Sequence, residues 1–261
     1  MRAWLQNEWT ELRGALKRVH WQAAVVLVAA TVLVLIQLQI GGRPFYWTNI
    51  AERLGPDNQQ LGAWAWWFSV QGITGFVVPV LILMLAFKRK PSEIGLGLGD
   101  WKLAGILALL YMIPVTIGTW VLSDGADFQH QYPHHSPAAF SWRIFAIYHA
   151  LFLFYWIGWE YLWRGFVLFG TAPAFGLGAI FVQMVPFAIL HAGKPAAEAY
   201  LSILGGLLLA AVVWRCRSFW IAVPIHAFQM LVLDFWVSLR LRTGASGWGL
   251  EALREAFRGL G

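Results

Sequence analysis

The chain has 261 residues, of which 59% are hydrophobic and only 12% charged. Soluble domains carry about 45–50% apolar and about 25% charged residues, so this balance excludes an ordinary soluble globule and predicts an integral membrane protein. The net charge of +6 reads as the Lys and Arg excess of cytoplasmic loops in a bacterial inner membrane, with no nucleic acid expected as partner. The single cysteine, Cys216, excludes an internal disulfide.

In chain order, residues 1–22 form a polar and charged segment with no signal-peptide pattern. Within it Trp4, Leu5, Trp9, Leu12, Leu16 and Val19 recur near helical spacing, and Arg13, Lys17 and Arg18 supply cations. That pattern predicts an amphipathic helix lying on anionic headgroups. A spanning helix needs about 20 mostly apolar residues. Such runs occur near 23–41, 64–87, 102–123, 142–170, 174–192, 198–214 and 218–240. The fourth is too long for one upright pass and is expected to tilt or split. The runs are too long and too uniformly apolar for barrel strands, which alternate over about ten residues. The expected fold is therefore all-α: a polytopic transmembrane helical bundle of seven or eight spans with amphipathic terminal helices. Residues 23–140 supply N-terminal spans, 141–240 a second block rich in buried polar groups, and 241–261 an amphipathic tail with Arg254 and Arg258. The basic N-terminus and the Lys88-Arg89-Lys90 loop are two connections apart, which places the N-terminus in the cytoplasm.

Polar side chains inside apolar spans are costly and mark functional candidates. They are His149, Glu160, Arg164, Gln183, His191, Glu198, His226, Gln229 and Asp234. Glu160 and Arg164 in 159-WEYLWRGFVLFG-170 are four apart and share a helix face. His191 in 187-FAILHAGKP-195 ends an apolar run before Gly193 and Pro195, and His226 in 223-VPIHAFQM-230 follows Pro224. Each alone reads as easily as a packing residue. A carboxylate and two imidazoles together are what activation of a water and stabilisation of an oxyanion require. A Glu/His/His set is also compatible with a divalent metal such as zinc, although no HExxH is present. Lys194 and Glu198, four apart, are expected to cap or pair at the mouth of the sixth span. His130, His134 and His135 in 128-FQHQYPHHSP-137 are expected in a polar external loop, with a metal or proton-sensing site as the lesser reading.

These three segments, in this order, resemble the CPBP family (CAAX protease and bacteriocin-processing, or Abi), intramembrane endopeptidases related to type II CAAX prenyl proteases. The family pattern is Glu-Glu-x-x-x-Arg, then Phe-x-x-x-His, then His-x-x-x-Asn. Glu160 and Arg164 fit the second half of the first motif, Phe187 and His191 the second motif, and His226 the start of the third. Trp159 stands where the family has its first Glu, and Met230 where it has Asn. The resemblance covers roughly residues 141–240. It implies an intramembrane endopeptidase acting on a membrane protein or peptide substrate, membrane-proximal or lipid-modified, within the lipid bilayer. Catalytic roles fall to Glu160 and His191 on the water, His226 on the oxyanion and Arg164 on Glu160, with no cofactor required. The alternative expectation is an inactive CPBP-like membrane scaffold or immunity protein. A proton-relaying transporter ranks last, because nearly all the buried polar groups lie in the second half of the chain.

Overall fold

A computed structural model describes residues 1–53 and 59–261. Residues 54–58, inside the expected 23–140 block, lie outside the described residues. Those described form helices joined by short turns, with no strand among them. Among the described residues six apolar helical stretches are long enough to cross a membrane, so the protein is an integral membrane protein. In chain order the helices are α1 (Arg2–Lys17), α2 (Trp21–Gln39), α3 (Arg43–Asn49), α4 (Gln60–Ala86), α5 (Trp101–Leu122), α6 (Ala126–Gln131) and α7 (Pro137–Phe140). The chain continues as α8 (Trp142–Glu160, then a π-helical segment Tyr161–Val167 and the turns Leu168–Phe175), α9 (Ala179–Ile189), α10 (Ala196–Cys216), α11 (Ala222–Thr243) and α12 (Leu250–Phe257).

The long fourth run splits, as its length demands. The stretch Trp142–Ile189 is 48 residues, about 72 Å if straight and far more than a bilayer core. It reverses at Gly176, whose φ of +53° is left-handed and which follows Pro173 and Phe175 at the end of α8. The returning α9 packs on the π segment: the Phe187 ring lies 4.0 Å from the Arg164 guanidinium. Counting α9 as a pass gives seven, within the expected seven or eight. At 11 residues, or about 16 Å, α9 crosses only part of the bilayer. Its end therefore places the 190–195 turn at membrane depth, where non-helical backbone is tolerated only inside protein or along a cavity.

Glycine sets the register of the second block against the first. A Cβ on Gly75 would fall 2.3 Å from the Gly158 carbonyl oxygen, and one on Gly158 would fall 2.2 Å from that of Gln71. Helices α4 and α8 thus meet backbone to backbone, the close approach that small residues permit in lipid. The contact fixes the height of Trp159 and Glu160, the next residues along α8.

At one end of the bundle Arg89 Nε donates to Gln22 Oε1 at 2.9 Å, and Asp100 N donates to Cys216 O at 2.9 Å. This joins the start of α2, the basic 88–90 turn and the α10–α11 connection. Cys216 is a buried helix-end residue. The termini differ from each other. The apolar side chains of α1, Trp4, Leu5 and Trp9 among them, are exposed, as a surface-lying helix requires. The C-terminal tail, expected to be amphipathic like α1, keeps Trp248, Leu250 and Phe257 exposed, while its other side packs on the bundle. Ala256 and Ala245 are buried with Trp120 and Leu239. Arg240, 1% exposed, reaches Ser123 Oγ at 2.8 Å, Asp124 Oδ1 at 3.0 Å and the carbonyls of Trp120, Ala245 and Gly247. The tail's polar backbone is satisfied by an arginine that hydropathy alone does not single out.

Candidate active site

Glu160 closes the regular part of α8 and is fully buried, as is Arg164 in the π-helical turn that follows. π-Helical turns are rare and concentrate at functional sites. Arg164 Nη1 donates to Glu160 Oε1 at 3.2 Å, and His226, in the first turns of α11, brings Nδ1 to 2.5 Å from the same oxygen. One carboxylate oxygen thus accepts from a guanidinium and an imidazole. The Glu160 Oε2 atom and the Arg164 Nε and Nη2 atoms are buried without a hydrogen-bond partner among the described residues. The imidazole of His226 is braced on its face by Trp156, with ring centroids 4.3 Å apart.

His191 sits in the turn just after α9. Its Nδ1 is 2.8 Å from the Phe187 carbonyl oxygen. The donor must be Nδ1–H, because a carbonyl only accepts, so Nε2 carries the free lone pair.

Two cavities meet here. The larger, about 400 Å³, opens between α5, α10 and α11 and is lined by Tyr111, Arg164, Phe187, His191, Glu198, His226 and Gln229 among others. The smaller, about 180 Å³, lies toward α4 and α8, with Gln71, Trp159, His134 and Lys194 on its wall. His191, His226, Glu198 and Met230 line both. The three expected groups are therefore brought together unequally. The two imidazoles face shared space, whereas Glu160 touches His226 from behind and lines neither cavity. Trp159 lines the smaller cavity, packed edge-on to His191 at 6.0 Å between centroids.

Other expectations change with the coordinates. Lys194 does not pair directly with Glu198. Lys194 Nζ donates to Tyr132 Oη at 3.0 Å, and Tyr132 Oη donates to the Glu198 carboxylate at 2.6–2.7 Å. The histidine-rich loop is not a solvated external loop at its second half. His134 Nε2 accepts from Lys194 Nζ at 2.8 Å, and His135 Nδ1 accepts from Trp64 Nε1 at 3.0 Å. Burial and the neighbouring Lys194 and Arg43 charges lower the His134 pKa to about 3. Tyr132, 1% exposed, was not visible as a site residue from sequence, since a tyrosine before a proline in a polar loop has no distinguishing pattern. The Asp234 carboxylate lies 3.3 Å from His149 Nε2, and Gln229 Oε1, on the wall of the larger cavity, accepts from Tyr111 at 3.4 Å.

The Glu160/His191/His226 set does not fit a zinc ion. Glu160 Oε1 is taken by Arg164 and His226, and His226 Nδ1 is turned to that carboxylate. No group of three or more His, Cys, Asp or Glu side chains converges on a metal position among the described residues. What the arrangement provides is an imidazole acceptor, His191 Nε2, near a second imidazole that is held by a carboxylate.

No curated protein and no solved structure matches the chain. Residues 138–232 match a family model described as "Type II CAAX prenyl endopeptidase Rce1-like". That segment runs from α7 to the middle of α11 and contains Glu160, Arg164, His191 and His226. Over that segment, a little over a third of the chain, the protein is similar to the CAAX-protease-type endopeptidases that its three motifs resemble.

Proposed function

We propose that the protein is an intramembrane endopeptidase that hydrolyses a peptide bond in a membrane-proximal or lipid-modified substrate. The observation that carries this reading is the pairing of His191 and His226 on the wall shared by two cavities, with His226 held from behind by Glu160 and Arg164. The substrate carbonyl enters the larger cavity. His191 Nε2 accepts a hydrogen bond from the attacking water and orients it. His226, paired through Nδ1 to the Glu160 carboxylate, donates from Nε2 to the oxygen that becomes the oxyanion. Glu160 acts through His226 and not on the water, because its sealed carboxylate is already shared by two donors. Arg164 holds that carboxylate in place. No metal takes part.

Orientation follows the charge distribution. Lys88, Arg89, Lys90, Arg215 and Arg217 gather at the end of the bundle where α2 begins, which supports a cytoplasmic position for that end in a bacterial inner membrane. The test is cleavage of an internally quenched farnesylated CaaX peptide by the protein in nanodiscs. The wild type cleaves, while Glu160→Gln, His191→Ala and His226→Ala each lose about 100-fold or more of the rate with insertion intact. Full activity in all three variants would overturn the assignment.

A further inference from the structure

Hydrolysis by water needs a group that takes the water's proton beside the scissile carbonyl. Trp159 has no basic atom to offer there. Glu160 is closed off behind His226, and His226 itself is turned to that carboxylate. His191 is held by its Nδ1–H on the Phe187 carbonyl and offers Nε2 to orient the water. Glu198 is the one carboxylate, among the described residues, on the wall common to both cavities, beside His191 and His226. Unlike Glu160 it is only partly buried.

Its carboxylate is also held. The Tyr132 hydroxyl donates to Oε1 at 2.7 Å and Oε2 at 2.6 Å, and Lys194 Nζ donates to that hydroxyl at 3.0 Å, fixing the direction in which the phenol gives its proton. A carboxylate has about four acceptor positions and one phenolic hydrogen occupies them only partly, so capacity for a water remains. Glu198 lies in the first turn of α10 just after Pro195, which begins that helix at the depth where α9 ends. The fold therefore delivers a carboxylate to the cavity from a helix other than α8.

We propose that Glu198 is the general base of the reaction, with Tyr132 and Lys194 as positioning residues; the inference rests on the peptidase reading above. Glu198 takes a proton from the water as its oxygen bonds to the carbonyl carbon, and the carbonyl electron pair moves onto the oxygen facing His226. Glu198 then gives the proton to the amide nitrogen as the C–N bond breaks. The products are a carboxylic acid and an amine, and Glu198 returns to its starting state.

The experiment follows the quenched farnesylated CaaX peptide with the wild type, Glu198→Gln, Glu198→Asp and Tyr132→Phe in nanodiscs. Glutamine keeps the shape and still accepts from Tyr132, so this variant folds but lacks the base. Its kcat falls about 100-fold or more while KM stays within about threefold. Aspartate retains the base one methylene short and keeps a measurable part of the rate. Tyr132→Phe lowers kcat about 10-fold with an unchanged thermal unfolding midpoint. Should Glu198→Gln not assemble, the contrast between Glu198→Asp and Glu198→Asn reads the same question, a carboxylate against its amide at equal length. Glu198→Gln cleaving at the wild-type rate while His226→Ala is inactive overturns the role of Glu198 and leaves the peptidase reading standing. A wild type that cleaves nothing overturns the peptidase reading itself.

Discussion

His226 Nδ1 and Glu160 Oε1, 66 residues apart in sequence, lie 2.5 Å apart inside the bundle, and Arg164 shares the same oxygen. A buried carboxylate between a guanidinium and an imidazole is costly to strand, because removing one donor leaves charge unpaired. The two residues therefore act as a unit. Glu160→Gln and His226→Ala should each abolish most of the activity, and the double variant should be no worse than the weaker single one. A double-mutant cycle on peptide cleavage checks this; additive losses would mean that Glu160 has a role apart from His226.

The contact of α4 with α8 leaves no room for a side chain. Gly158→Ala and Gly75→Ala would each put a Cβ within 2.3 Å of a backbone oxygen that cannot step aside. Each should cost about 1–3 kcal/mol or more, read as a lower unfolding midpoint in detergent. Gly105→Ala, in α5 with nothing within 4 Å of its Cβ position, should be neutral or stabilising by up to about 1 kcal/mol. Equal behaviour of the three variants would contradict the packing described.

Acid should loosen the loop over the site. His134 is held near pKa 3, below the ordinary histidine value of 6.5, by burial first and the Lys194 charge second. The unfolded chain therefore takes up a proton that the folded one refuses. Stability from this group is complete above about pH 6.5 and is lost as pH falls from there toward 3. His134→Gln should blunt the fall in unfolding midpoint between pH 7 and pH 5. An unchanged fall would place its origin elsewhere.

Arg240 stitches the end of α5 to the C-terminal segment through five hydrogen bonds and lies 3.8 Å over the Trp120 ring. Arg240→Ala leaves Asp124 and three carbonyls without this partner and should cost about 3 kcal/mol. Arg240→Lys should recover little, because an ammonium cannot match the planar fork. Thermal unfolding of the two variants measures both.

Much of this was legible in the sequence for a physical reason: apolar run length fixes where a chain can cross lipid, and a charge within such a run must find a partner. Glu160, Arg164, His191 and His226 stood out on that ground. What sequence could not convey was direction. Glu160 and His226 meet, yet only the fold tells that Glu160 turns its carboxylate to the back of the imidazole and leaves the cavity to Glu198. Tyr132 and His134 lie in a polar stretch that spacing assigns to solvent. Their burial depends on the half-length α9, which sinks the 190–195 turn and draws the loop in after it. The packed tail was hidden likewise, since Arg240 reads as an ordinary helix-end cation until its five acceptors are in place.

The account stands on peptide hydrolysis in the cavity between His191 and His226. Its most direct measurement is the initial rate at which purified protein in nanodiscs, treated with a metal chelator, cleaves a quenched farnesylated CaaX peptide, compared with the His191→Ala/His226→Ala variant. The account predicts chelator-resistant cleavage by the wild type and a loss of about 100-fold or more in the variant. No cleavage by the wild type, or equal cleavage by both, would contradict it.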